Sequence, residues 1–168
     1  IEKLFKVAKD VKAKPKDYRK KLKGKQLGMI FQKPSTRTRV SFSVGISQLG
    51  GVPLYLSSND MQLGQGETIA DTSRVLSRYV DCVMLRVFSH DDILDFAAHS
   101  SVPIINGLDD YIHPCQGLTD YFTIQEHYGT LDNIKVTYIG DGNNVCHSLI
   151  FGAAKLGIDL KVVGPEGY

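Results

Sequence analysis

The sequence predicts an α/β protein: a parallel sheet flanked by helices on both faces. Three observations lead there. Short apolar runs alternate along the chain with longer segments of helical periodicity. The first run, Leu27-Gly28-Met29-Ile30-Phe31, is apolar almost throughout, as a buried strand is. Capping and stop residues, such as Ser89 before one periodic segment and Gly129 after another, mark the helix ends.

Each element follows from its own pattern. Leu4, Val7, Ala8 and Val11 recur at helical spacing within a lysine-rich N-terminus, which predicts an amphipathic helix with solvated lysines opposite. Residues 27–31 form the first strand. Phe42, Gly45, Ile46 and Leu49 then mark a helix that Gly50-Gly51 stops. Residues 52–56 read as a strand, followed by a polar, glycine-bearing loop over 57–66. A helix over 67–79 places Ile69, Ser73, Leu76 and Tyr79 on one face. Residues 82–85 are a strand ending at Arg86. Ser89 with Asp92 gives an N-cap and an acidic first turn for a helix through Ala98. Further strands fall at 102–105, 134–139 and 160–163, with helices over 116–128 and 144–156. The expected domains are 1–131 and 132–168.

Composition narrows the function classes. The chain has 168 residues, 42% hydrophobic and 23% charged, with a formal net charge of +2. That is an ordinary globular composition, with roughly 100–200 residues expected per domain. No stretch approaches the ~20 apolar residues of a membrane span, so no membrane partner is expected. No signal-peptide layout opens the chain, although it begins at Ile1 and a leader would already be absent. Cys82, Cys115 and Cys146 lie far apart without metal or redox spacing, which fits a reducing compartment and a cytoplasmic location, or the mitochondrial matrix in a eukaryote. Lysines crowd residues 3–25, yet only Phe5 and Tyr18 fall among them, too few for a stacking platform, so no nucleic-acid partner is expected. The histidines lack ligand spacing and no acidic cluster converges; neither a metal nor a cofactor is expected.

Four polar clusters fall where strands end, the edge at which α/β sheets bind ligands. The first is Pro34-Ser35-Thr36-Arg37-Thr38-Arg39. There a helix N-terminus offers unpaired N–H groups and partial positive charge, Ser35, Thr36 and Thr38 offer hydroxyls, and Arg37 a two-pronged cation. A phosphate dianion suits that set; an ordinary capped helix with two solvated arginines is the plainer alternative. Arg86 is the second, delivered by an apolar strand. The third is His113-Pro114-Cys115-Gln116 at a helix start, with proline in the first turn. His113 can donate to a carbonyl oxygen and Gln116 can both donate and accept, or His113 is a satisfied turn residue. No partner base identifies Cys115 as a nucleophile. The fourth, Gly140-Asp141-Gly142-Asn143-Asn144-Val145, has two glycines of a dinucleotide fingerprint but Val145 where the third belongs. Its two asparagines equally suit an amino acid's carboxylate and amine.

Residues 31–51, reading FQKPSTRTRVSFSVGISQLGG, closely resemble the carbamoyl-phosphate site of the aspartate and ornithine carbamoyltransferases. His113-Pro114-Cys115-Gln116 and residues 140–145 resemble the ornithine branch. The resemblance implies a carbamoyl-phosphate domain followed by the first part of a Rossmann-like acceptor domain. It implies transfer of the carbamoyl group from carbamoyl phosphate to the side-chain amine of L-ornithine, giving citrulline and phosphate, in a homotrimer or a multiple of trimers. Ser35, Thr36, Arg37 and Thr38 would hold the phosphate, and Arg86 would bridge phosphate and carbonyl oxygens. His113 and Gln116, with the backbone of Pro114 and Cys115, would hold the carbamoyl end. Gln62 would reach a neighbouring subunit's site, and Asn144 would contact ornithine. Arg37, Arg86, His113 and Gln116 are thus the expected catalytic residues. Gln32 and Ser43 depart from the family, which often carries glutamate at both positions. The family's acceptor domain continues beyond the equivalent of Tyr168, so the sequence by itself is expected to be inactive. Putrescine or another amine as acceptor, a non-catalytic phosphate-binding module, and a fragment of a nucleotide-dependent oxidoreductase are the rival readings.

Overall fold

A computed structural model describes residues 1–57, 61 and 66–167. In chain order these form α1 (Glu2–Ala13), α2 (Pro15–Tyr18), β1 (Gln26–Phe31), α3 (Thr36–Gln48), β2 (Val52–Ser57), α4 (Ile69–Leu76) and β3 (Cys82–Arg86). There follow α5 (His90–His99), β4 (Ile104–Leu108), α6 (Pro114–Tyr128), β5 (Lys135–Ile139), α7 (Asn144–Leu156) and β6 (Asp159–Val163). The chain divides into two compact units, one made of Lys9–Asp109 and the other of Ile1–Ala8 with the chain from Asp110 onward. The 131/132 boundary expected from the sequence lies inside the second unit.

In the first unit four parallel strands run in the order β2-β1-β3-β4. The period of two sorts their side chains cleanly. Ile30, Val83 and Leu85 point to one face, where Ile69 and Leu76 of α4 and Ile93 and Phe96 of α5 cover them. Leu27, Met29, Phe31 and Met84 point to the other, under Phe42 and Ile46 of α3. The central strands are therefore apolar on both sides, which is why β1 reads as a continuous run. From β1 the chain moves outward to β2, and from β3 outward the other way to β4. A topological switch point thus lies between β1 and β3, with α3 and α5 on opposite faces as right-handed crossovers require.

Several elements differ from the sequence reading. The fourth strand runs over Ile104–Leu108 instead of 102–105. Val102 N–H is taken by Ser100 Oγ and Pro103 has no N–H, so pairing starts later. It then continues through Asn106-Gly107 as a bulge: Leu85 pairs with Asn106 but Arg86 with Leu108. A Cβ at Gly107 would collide with the Met84 sulfur, so only glycine passes there. Helix α4 is shorter than expected, because Thr68 caps it and a turn at 77–79 ends it, leaving Tyr79 exposed. On α1 the buried residue is Phe5, tilted against the Phe122 ring at 5.3 Å, while Leu4 and Val7 are exposed. The larger ring takes the inward position. The lysines of 3–25 face solvent, as their helix predicts.

In the second unit β5 and β6 form a parallel pair around α7, and α6 packs on α7. Tyr121, fully buried, donates its OH to Leu149 O at 2.6 Å. Its ring lies so close to Gly152 that a Cβ there would overlap it. Val136 and Tyr138 join this core, whereas Val162 and Val163 stay exposed. Among the described residues no helix is long and apolar enough to cross a membrane, and no group of three or more His, Cys, Asp or Glu side chains could hold a metal ion.

Candidate active site

The switch point gathers the first two polar clusters. β1 ends at Phe31, and the chain turns through Gln32 to Pro34 before α3. Ser35 is extended (φ −159°, ψ 118°) and caps α3, its Oγ accepting Thr38 N–H at 3.3 Å. No acidic residue occupies the first turn to neutralise the dipole. Of the cations here, Arg39 lies over the Tyr55 ring at 3.7 Å and Lys33 over Phe88 at 4.8 Å. Arg37 is exposed and makes no hydrogen bond or ion pair among the described residues.

Arg86 is the register partner of Phe31 on the neighbouring strand. Among the described residues its Nε is buried without a hydrogen-bond partner, and burial pulls the guanidinium below its ordinary pKa. A buried, unsatisfied charged donor is costly and is stabilised by an anion. The strand end is held on both sides: Gln32 N–H donates to Arg86 O at 2.9 Å, and Val87 N–H to Leu108 O at 3.0 Å. Gln32 adds two side-chain bonds, accepting Phe88 N–H at 2.8 Å and donating to Asp92 at 3.3 Å. In the sequence Gln32 stands out only as a departure from the family. Its place, one residue beyond a buried strand, was the available signal.

A second missed cluster lies beside the bulge. Asp109 is fully buried, 2.6 Å from His90 Nδ1, and accepts Asn106 Nδ2–H at 2.7 Å. Leu108 just before it has φ 154°, a conformation that side chains rarely adopt.

The other unit gathers the remaining described candidates at the N-terminal ends of α6 and α7. His113 precedes α6 as its N-cap residue without a side-chain capping bond, and Pro114 occupies the first turn. Gln116 donates to Asp120 at 2.9 Å, one turn along its own helix, instead of pointing off the helix end. Burial pushes the Cys115 thiol up, opposite to what a thiolate nucleophile needs. Asn143 caps α7, its Oδ1 accepting Val145 N–H at 3.0 Å and Cys146 N–H at 3.3 Å. Those are N–H groups a dinucleotide pyrophosphate would require, so the glycine pair does not make such a site. Asn144 is left as the opening residue of the helix. Gln62 lies outside the described residues.

Against known proteins, residues 1–126 match the family model described as the carbamoyl-P binding domain of aspartate/ornithine carbamoyltransferase, and residues 132–168 its Asp/Orn binding domain. The chain belongs to the aspartate/ornithine carbamoyltransferase family. Among relatives in this carbamoyltransferase family, the ornithine carbamoyltransferase of Pyrococcus horikoshii is 63% identical over 147 residues, 88% of this chain and 46% of that protein. That of Listeria monocytogenes is 53% identical over 98% of this chain and 52% of its own length. The structure of ornithine carbamoyltransferase from Pyrococcus furiosus superposes with a TM-score of 0.93 at 57% identity, over 98% of this chain and 53% of that one. The chain spans about half the length of the carbamoyltransferases it matches.

Proposed function

We propose that this chain is the donor-binding half, with the start of the acceptor domain, of an ornithine carbamoyltransferase. One observation carries the reading: at the β1–β3 switch point the α3 N-terminus carries an exposed Arg37 with no hydrogen bond or ion pair among the described residues, and the neighbouring strand ends at half-buried Arg86, whose Nε has no partner among them. In this reading the phosphate of carbamoyl phosphate sits on Ser35, Thr36, Arg37 and Thr38, and Arg86 bridges phosphate and carbonyl oxygens. His113, Gln116 and the backbone of Pro114 and Cys115 hold the carbamoyl end, and Asn144 contacts L-ornithine. The uncharged side-chain amine attacks the carbonyl carbon, forming a C–N bond and a tetrahedral oxyanion. Collapse breaks the C–O bond, phosphate departs with its electron pair, and the nitrogen passes its proton to that phosphate to give citrulline. Arg86 and His113 meet the oxyanion, and Arg37 with the hydroxyls meets the leaving phosphate. One such donor is worth roughly 100- to 1000-fold in rate.

Finer points of the reading have their own support. A division at 131/132 agrees with the residues matched by the two family models. A homotrimer, or a multiple of it, with Gln62 reaching a neighbouring subunit, is favoured by apolar residues left exposed on α3, Val40 and Val44, and on both faces of edge strand β2, Val52, Leu54 and Tyr55. A cytoplasmic or matrix location agrees with three cysteines, Cys82, Cys115 and Cys146, that form no disulfide among the described residues.

The test is calorimetry followed by turnover in the full-length protein. Carbamoyl phosphate binds alone, and adding ornithine releases phosphate and citrulline in equal amounts. Binding without turnover reduces the protein to a phosphate-binding module, and faster turnover with putrescine replaces the acceptor.

A further inference from the structure

Ser148 sits on α7, one turn after Asn144, and is 7% exposed. Its hydroxyl is used in both directions. His113 N–H donates to Ser148 Oγ at 2.7 Å, and Ser148 Oγ–H donates to Asn144 O at 2.8 Å. The second bond alone would be ordinary, since helical serines often bond back to the carbonyl four residues earlier. The first reaches outside the helix, to the residue that opens α6. The two helices come very close here: a Cβ on Gly117 would lie 3.0 Å from Ser148 Cβ and 3.1 Å from Ser148 O. A neighbouring strap acts in parallel, because His147 Nδ1 lies 2.8 Å from Tyr111 O, two residues before His113.

We propose that Ser148 is a positioning residue, whose single hydroxyl sets the backbone of His113 against that of Asn144. The inference rests on the ornithine carbamoyltransferase reading, in which His113 serves the donor and Asn144 the acceptor. The attacking amine and the carbonyl carbon must be aligned, and a displacement of about 1 Å can cost roughly 100-fold in rate. One hydroxyl linking both backbones fixes that alignment without touching either substrate. Removing it takes the Ser148 partner from the part-buried His113 N–H and lets α6 and α7 settle differently.

The molecule contains its own control. Ser77 makes the same kind of join away from the candidate site, donating to Ser73 O at 2.7 Å and accepting Ser101 N–H at 3.2 Å. In the full-length protein, Ser148→Ala and Ser77→Ala are both expected to lower the melting temperature by a few degrees. Only Ser148→Ala is expected to lower kcat with ornithine at least tenfold, with KM for carbamoyl phosphate changing less than threefold. Ser148→Cys, which keeps the shape and a weak donor and acceptor, should fall between Ser148→Ala and the wild type. The inference is overturned if Ser148→Ala changes kcat no more than Ser77→Ala does, or if its effect is confined to carbamoyl-phosphate affinity. Should Ser148→Ala not fold, Ser148→Cys is read in its place; failure of both to fold assigns Ser148 to packing and also overturns it. A wild-type protein making no citrulline sinks the ornithine reading and this inference with it, whereas an active wild type with an unaffected Ser148→Ala sinks this inference alone.

Discussion

Gln32 Oε1 accepts the backbone N–H of Phe88 at 2.8 Å, tying the first residue beyond β1 to the turn that follows Arg86. With Gln32 N–H on Arg86 O, the same residue grips the end of β3 through backbone and side chain. Gln32→Ala removes the side-chain half and frees the turn. Full-length protein carrying it is expected to lose about 1 kcal/mol of stability and to bind carbamoyl phosphate several-fold more weakly. Gln32→Glu can still accept from Phe88, but its carboxylate replaces a donor facing Asp92. The expected loss of affinity is therefore no smaller, and calorimetry on both variants checks the pair.

Arg37 should carry more of the donor's affinity than any hydroxyl beside it. It is exposed at the α3 N-terminus and engages nothing else among the described residues, so no competing partner must be broken. A hydrogen bond to a charged group is worth about 1.5–3 kcal/mol, so Arg37→Ala should raise the carbamoyl-phosphate dissociation constant at least tenfold. Arg37→Lys should recover only part, since an ammonium lacks the planar two-pronged grip. Unchanged affinity in a titration would remove Arg37 from the site.

What the sequence revealed depended on how local the cause was. β1 shows itself because both its faces are buried, and α7 spans the expected 144–156 because Asn143 caps one end and Gly157, at φ 69°, closes the other. The α3 N-terminus was readable for the same reason. The bulge in β4 was not, because it depends on Met84 and Leu85 of the strand beside it. Nor was Ser148, whose importance lies in a backbone N–H 35 residues away. The bond of Gln116 is local but equally hidden, because Asp120, four residues on, is one of several polar partners the sequence offers it. The buried Asp109 was not legible either, since nothing local distinguishes a solvated aspartate from one held by His90 and Asn106.

Asp109 is the side chain whose loss should harm the first unit most. It is fully buried and bonded to His90 and Asn106, so truncation strands two polar partners next to the bulge. Removing one member of such a buried set costs about 3–5 kcal/mol. Asp109→Ala is expected to lower the unfolding free energy read from denaturant titration by an amount in that range, and Asp109→Asn by less, because an amide oxygen can still accept from Asn106. A loss below about 1 kcal/mol for Asp109→Ala would mean that water already reaches the carboxylate.

Tyr121 gives the second unit an alkaline limit whose sign can be worked out. Burial, and secondarily the charge of Asp120, push its phenol from 10.0 up to about 12. The folded chain therefore holds this proton more tightly than the unfolded chain does. The stabilisation is fully present below pH 10 and is lost as pH rises through about 12. Tyr121→Phe removes the bond to Leu149 O, costing about 1 kcal/mol at neutral pH, but it also removes the ionisable group. Melting temperatures of the two proteins should differ by a constant amount up to pH 10, and the gap should then narrow between pH 10 and about 12 as only the wild type loses stability from this proton. Every other side chain is common to both proteins and cancels in the comparison. A gap that stays constant to the end of that window would mean Tyr121 ionises as readily in the folded chain as in the unfolded one, and that its ring is not sealed between α6 and α7.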